Sequence, residues 1–234
     1  VDVIRPEQLE KVLFELLATS GTKQIVFLSV WNLLKARRNP EYKLCLENAS
    51  LVLPISKSII RGAAFLKRTK PVRYNPFSAI ISFFTILETR YKSLYLLGGH
   101  KNTLIESERN LKATFPGLHI VGRYTGYFPK DMEKDVLSAI FKANPSMVLL
   151  ADGIPSGVTW SYARRNSFGS SIFVYYKDAL SIFSKRKKRV SNETFDAGRE
   201  IWSEIAANPL KIFLVFPYIW YILLLIKDRL SSEN

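Results

Sequence analysis

The chain has 234 residues, 47% hydrophobic and 23% charged, which is enough for one large or two small domains with a full core and too apolar for a disordered chain. Its single cysteine, Cys45, excludes an internal disulfide and a cysteine-based zinc site, and two histidines, His100 and His119, leave little for a metal cluster or a Ser-His-Asp triad. With 34 Lys and Arg against 20 Asp and Glu the net charge is +14, which draws phosphates, whether on nucleic acid, a membrane face or a nucleotide. No aromatic-plus-basic motif of known spacing accompanies that charge, so nucleic acid is set aside as a partner.

Val1–Leu17 carries Asp2, Glu7, Glu10 and Glu15 and no small-residue cleavage site, unlike a signal peptide. Ile25–Val30 (IVFLSV) reads as a strand, followed by a helix-like stretch through Leu46 and a short strand at Leu51–Leu53 closed by Pro54. Ser78–Leu87 is apolar over a helical length. Ser93–Leu97 (SLYLL) is a buried strand ending in Gly98-Gly99, and Asn102–Thr114 has helical spacing with Asn102 as its N-cap. Leu118–Val121 is the next strand, Lys130–Ala143 the next helix, and Met147–Ala151 and Ser171–Tyr176 are further strands. This alternation without hairpin signals predicts an α/β, Rossmann-like fold: a mostly parallel sheet with helices on both faces.

The C-terminus departs from that pattern. Ile212–Ile226 (IFLVFPYIWYILLLI) is a 15-residue apolar run flanked by Lys211, Lys227 and Arg229. No segment reaches the roughly 18–20 apolar residues of a spanning helix. Tyr218, Tyr221 and Trp220 are the amphipathic aromatics favoured at a membrane boundary, and Pro217 demands a kink unless it lies in the first turn. The run reads either as an interfacial anchor or as a helix buried in the core or in a contact between copies of the chain. The expected division is an α/β domain over 1–195 and a membrane-associating helical appendage over 196–234.

Ligands of such sheets sit outside the carboxyl ends of the strands. That edge comprises Pro54–Ser58, Gly98–His100, Arg123–Phe128 and Asp152–Gly157. Gly98-Gly99 lets a backbone approach a phosphate, with amide donors at the following helix N-terminus, although tight-turn chemistry explains the same pair. Neither a GxGxxG fingerprint nor a GxxxxGK[ST] loop occurs.

The order LYLLGG, FPGLHIVGRYTGYF, MVLLADGIP from Leu94 to Pro155 resembles the WecG/TagA/CpsF glycosyltransferases, as do NPEYKLCLENASLVL (Asn39–Leu53) upstream and AGREIW (Ala197–Trp202) with Asn208-Pro209 downstream. The resemblance implies an inverting, metal-independent enzyme without a cofactor, which moves an N-acetylmannosamine-type sugar from a UDP-sugar to a polyprenyl-diphosphate-linked acceptor. It implies a place on the cytoplasmic membrane face, in cell-surface polysaccharide synthesis. It puts Arg73 on the nucleotide diphosphate and Gly126-Tyr127-Phe128 near the nucleotide, where an aromatic ring stacks on uracil or packs a corner.

Against the family pattern, four polar sites differ. The proposed catalytic aspartate falls on Ile55, Thr-x-Asn falls on Phe27 and Ser29, Pro-Lys-Gln-Glu falls on Pro155-Ser156-Gly157-Val158, and Gly-Gly-x-Phe is absent from Phe173–Asp178. Lys211 stands near a family arginine and Glu204 replaces another. Asp152, before Gly153, is the compensating carboxylate: a substitute base or sugar ligand, a turn aspartate, or half of an ion pair. His100 either donates to a phosphate or is a loop histidine, and His119 reads as structural. The run Lys185–Arg189 (KRKKR) reads as a contact for anionic lipid or as a solvated loop. The site expected from sequence is therefore Asp152 as the catalytic residue, with Arg73, Gly98, Gly99, His100, Gly126, Tyr127, Phe128, Gly153 and Pro155 around the substrate and no metal. The alternative is a catalytically degenerate family member acting as a membrane-bound partner or regulator. Association of copies through the apolar run is a further expectation.

Overall fold

A computed structural model describes residues 1–198, 212–213 and 215–232. Six strands, β1 (Lys23–Leu28), β2 (Leu51–Pro54), β3 (Ser93–Leu97), β4 (His119–Tyr124), β5 (Met147–Leu150) and β6 (Ile172–Tyr175), form one sheet in the order β2-β1-β6-β5-β3-β4. Every pairing is parallel. Strands β2, β3, β5 and β6 are short, largely apolar runs because both faces are covered, as parallel sheets require, whereas the edge strand β4 is only partly buried. Alternate residues serve opposite faces. Ile25, Phe27, Leu94, Leu96, Leu149 and Val174 join one cluster, whereas Tyr95, Leu97, Val148, Leu150 and Phe173 join another.

The first face is covered by α1 (Pro6–Ala18), α5 (Pro76–Thr89), α6 (Lys101–Thr114) and α9 (Ala179–Phe183), through Leu13, Phe83, Phe84, Leu111 and Leu180. The second is covered by α2 (Val30–Arg38), α3 (Pro40–Glu47), α4 (Lys57–Phe65), α7 (Glu133–Ala143) and α8 (Gly157–Ala163). A short α10 (Asn192–Ala197) and the C-terminal α11 (Val215–Ser232) complete the described helices. At the β2 edge the N-terminal segment occupies backbone groups, with Asp2 N–H donating to Val52 O at 3.1 Å and Asp2 Oδ2 accepting from Val52 N–H at 2.6 Å.

Local chemistry moves several boundaries from those expected. Strand β1 ends at Leu28 because Ser29 caps α2, accepting from Asn32 N–H at 3.2 Å, so Val30 is helical rather than extended. The stretch to Leu46 is two helices: Asn39 ends α2 and caps α3, and Pro40 occupies the first position of α3. Asn102 is not an N-cap; α6 starts at Lys101 and the capping position is His100. A 3₁₀ turn at Lys130–Met132 precedes α7. Helix α4 was not anticipated from the sequence pattern.

Pro217 lies in the first turn of α11, where it breaks no intrahelical bond, and no helix among the described residues is long and apolar enough to cross a membrane. One side of α11 packs on α2 and α4 through Tyr221, 4% exposed, against Val30 and Leu34. Tyr221 Oη donates to Ser58 O at 2.9 Å. The opposite side presents Phe216, Ile219, Trp220, Leu223, Ile226 and Leu230 to solvent, with Phe216 68% and Leu223 53% exposed. Of the expected appendage motif, residues Arg199–Trp202, Glu204, Asn208-Pro209 and Lys211 lie outside the described residues.

Candidate functional site

The connection after β3 runs over the first face to β4, whereas the connection after β5 runs over the second face to β6. The strand order therefore switches between β3 and β5, which is where such sheets open a crevice. The backbone there is packed too closely for side chains. Gly98 has φ +145°, and a Cβ on it would stand 2.8 Å from Ala151 Cβ; a Cβ on Gly126 would stand 2.3 Å from Asp152 O and 2.9 Å from Gly98 Cα. Three loop ends thus close on one another, and the peptide groups do the closing. Gly98 N–H donates to Tyr124 O at 3.0 Å, Gly99 N–H to Asp152 O at 2.7 Å, and Gly126 N–H to Gly99 O at 3.0 Å. Asp152 N–H donates to Lys177 O at 3.0 Å, tying in the loop after β6.

These bonds go with the close backbone packing that the glycines at 98, 99 and 126 allow. The amides of Gly98 and Gly99 are engaged within the protein, so at this corner the glycines provide close approach. Tyr127 Oη donates to Asp152 Oδ2. That hydrogen bond, then burial and the charge of Asp152, raise the Tyr127 phenol above its ordinary pKa. The Tyr127 ring stacks on His100, centroids 4.2 Å apart and planes 9° from parallel, and both residues are exposed. Below them, burial and then the charges of Asp152 and Asp178 raise Tyr175.

Seven expected site residues, Gly98, Gly99, His100, Gly126, Tyr127, Asp152 and Gly153, thus meet at one corner. Phe128 turns away and packs edge-on to Tyr124 at 6.0 Å. Pro155 is exposed on the next turn, while Gly157 and Val158, on positions where the family pattern has polar residues, are buried. Arg73 lies at the same edge but beside β2: its Nε donates to Ile55 O at 2.8 Å, its Nη1 donates to Phe195 O, and its guanidinium carbon lies 3.6 Å from the Phe195 ring centroid. Strands β1 and β6 stand between β2 and β5, a separation of roughly 14 Å at normal strand spacing. Ile55 itself packs against the apolar cluster of the first face.

Other expected positions have structural partners. His119 is the exposed first residue of β4. In the basic run, Arg186 forks onto Glu106 at 3.0 and 3.2 Å and Lys187 meets Asp178 at 2.6 Å, leaving Lys185, Lys188 and Arg189 to solvent. Sequence reading passed over Tyr175 and Lys177, although the rule that picked the other loops, position at a strand's carboxyl end, applies equally to the end of β6. No group of three or more potential metal-ligating side chains occurs among the described residues. Cavities of about 370 and 660 Å³ lie elsewhere, beneath α11 and between α2 and α3, the first with Arg37, Arg68 and Asp228 and the second with Asp2, Arg37, Lys43 and Glu47 in otherwise mostly apolar linings, and Arg73 lines a third, of about 480 Å³, between α1 and α5.

Comparison with known proteins adds to this geometry. Residues 1–234 match the model of the Glycosyl transferase WecG/TagA/CpsF family. An N-acetylglucosaminyldiphosphoundecaprenol N-acetyl-beta-D-mannosaminyltransferase of Bacillus spizizenii is 23% identical over 200 residues, covering 86% of this chain and 77% of its own. A protein of the same description from Bacillus subtilis is 19% identical over 199 residues, covering 85% and 77%.

Proposed function

The chain belongs to the WecG/TagA/CpsF glycosyltransferase family, and from that premise we propose that it transfers an N-acetylhexosamine-type sugar from a UDP-sugar to a polyprenyl-diphosphate-linked acceptor during cell-surface polysaccharide synthesis. The observation that carries the reading is the family match over the whole chain together with relatives described by that donor-to-lipid chemistry. The switch-point corner supports it physically, since it gathers a carboxylate, two exposed rings and closely packed backbone where α/β sheets take ligands.

The reaction needs the leaving UDP stabilised and the acceptor hydroxyl deprotonated. The excess of cations favours the first, and the amides that open the first turn of α6, which have no intrahelical acceptor, point their partial positive charge to the same edge. Asp152 enters the proposal as the carboxylate that contacts substrate. The mechanism is inverting and draws on no metal or organic cofactor.

The acceptor is a lipid, so the protein works at a surface. The solvent-facing apolar side of α11, with Lys227 and Arg229 beside it, matches an interfacial helix on the cytoplasmic face of the membrane. Leu223→Glu is expected to abolish co-flotation with anionic vesicles while leaving the folding stability within about 0.5 kcal/mol of the parent, as for an exposed position. Retained flotation would contradict the anchor, and a dimer lost on the same substitution would assign the stripe to a second copy.

Turnover tests the reading: UDP released from a panel of UDP-N-acetylhexosamines, only when a polyprenyl-diphosphate-linked acceptor is present. No release with any donor would contradict it. One observation favours a second reading in that event. Ile55 fills the family's aspartate position and packs into the core, as in a member that keeps the fold as a membrane-bound partner of polysaccharide assembly.

A further inference from the structure

The corner between β3, β4 and β5 also indicates which end of the donor it receives, an inference that rests on the proposed use of a UDP-sugar. The amides of Gly98, Gly99 and Gly126 all have acceptors inside the protein, so none of them is a donor for a diphosphate. The side chain that the corner does present is a carboxylate, Asp152, which accepts hydrogen bonds and repels phosphate oxygens. Tyr127 Oη holds one carboxylate oxygen from the side. Beside it, the stacked pair of His100 and Tyr127 is a flat, exposed aromatic surface, with the two ring centroids 4.2 Å apart.

A nucleoside has what these groups lack: two adjacent hydroxyl donors on the ribose and a planar base. We propose that Asp152 is a nucleoside-recognition residue, accepting hydrogen bonds from the ribose hydroxyls of the donor, beside the aromatic loop that the family resemblance already sets near the nucleotide. The diphosphate then points away from Asp152, along the sheet edge. Tyr127 is a positioning residue in this arrangement, since its hydroxyl fixes the rotation of the carboxylate. Asparagine at position 152 preserves the backbone bonds to Gly99 and Lys177 and replaces a carboxylate oxygen with a group that cannot accept from a hydroxyl.

Calorimetric titration of the full chain with UDP, 2′-deoxy-UDP and 3′-deoxy-UDP tests this, in the parent, Asp152→Asn and Tyr127→Phe. The parent is expected to prefer UDP over at least one deoxy analogue by about tenfold or more, the range for a hydrogen bond to a charged group. Asp152→Asn should collapse that ratio toward one, and Tyr127→Phe should reduce it by a smaller factor. UDP binding with the same ratio in the parent and Asp152→Asn would overturn the inference and leave the functional reading intact. Unchanged UDP and deoxy-UDP affinities in Asp152→Asn alongside a large loss of kcat would also overturn it, assigning Asp152 to proton transfer. No binding of any nucleotide to the parent would overturn the functional reading itself, and the inference with it.

Discussion

The glycine corner and helix α11 are both places where separate segments of this fold meet, yet they are held in opposite ways. At the corner, backbone meets backbone and there is no space for a single Cβ on Gly126. At α11, a helix apolar on both sides is fastened by the buried Tyr221 with the partly buried Tyr218, Leu224 and Leu225 around it and an Arg37–Asp228 ion pair, and leaves a full stripe of large residues in solvent. The corner is specified by what is absent, and its shape tolerates almost no change. The helix is specified by what is present, and one side of it leaves large apolar residues in solvent. Under the proposed function, a site that holds small-molecule geometry and a surface that meets a lipid call for these two solutions.

The largest expected effect breaks the second region. Tyr221→Ala removes the ring that seats α11 on α2 and α4 and should cost about 3–5 kcal/mol of its docking, by analogy with large-to-alanine changes in cores. Hydrogen exchange along α11 would read it, as fast exchange confined to residues 215–232. Exchange as slow as in the parent would show that other contacts carry the attachment.

A smaller loss is expected at the corner. Gly126→Ala forces a methyl into Asp152 O and Gly98 Cα, and should destabilise by about 1–3 kcal/mol, as overpacking does. Gly169→Ala is the control, because a Cβ there meets nothing within 4 Å. Thermal melts should separate the two by several degrees, at about 2–4 °C per kcal/mol for a chain of this size. Equal melting temperatures would mean that the three loops can shift apart freely.

The pH dependence sharpens the comparison further. Burial, then the nearby Tyr218, pushes Tyr221 up to about 12 from an ordinary value near 10. Between pH 10 and 12 the unfolded chain therefore releases this proton more readily than the folded one, and stability falls as pH rises through that window. Tyr42, also pushed up to about 12 by burial, contributes in the same direction from α3. Tyr221→Phe should lose about 0.5–1.5 kcal/mol at neutral pH with its hydrogen bond to Ser58 O, and should flatten part of the alkaline decline. An unchanged alkaline profile would place the titration elsewhere.

Much of the sheet was legible because both of its faces are buried, so strands such as MVLL and SLYLL stand out as apolar runs between polar helices. The ends were less legible. Ser29 and Asn39 read as ordinary polar residues until their capping bonds show where one element stops. The corner was legible as a set of strand-end residues, and seven of the named positions meet there. Its electrostatics were not, because the partners of Gly98 and Gly99 amides come from loops 25 and more residues away. Arg73 illustrates the same limit: sequence spacing places it ahead of β3, whereas the sheet order sets it across β1 and β6, beside Ile55 and Phe195.

The most direct measurement is a thermal melt of the detergent-solubilised chain with UDP, UDP-N-acetylhexosamines and other nucleotides. Ligand at about 100 times its dissociation constant should stabilise by about 2.7 kcal/mol, a rise of about 5–10 °C for a domain of this size. A rise with uridine nucleotides and none with adenosine or guanosine nucleotides is the predicted result. Identical melts with every nucleotide would contradict the account, leaving a glycosyltransferase fold whose working surface is α11 alone.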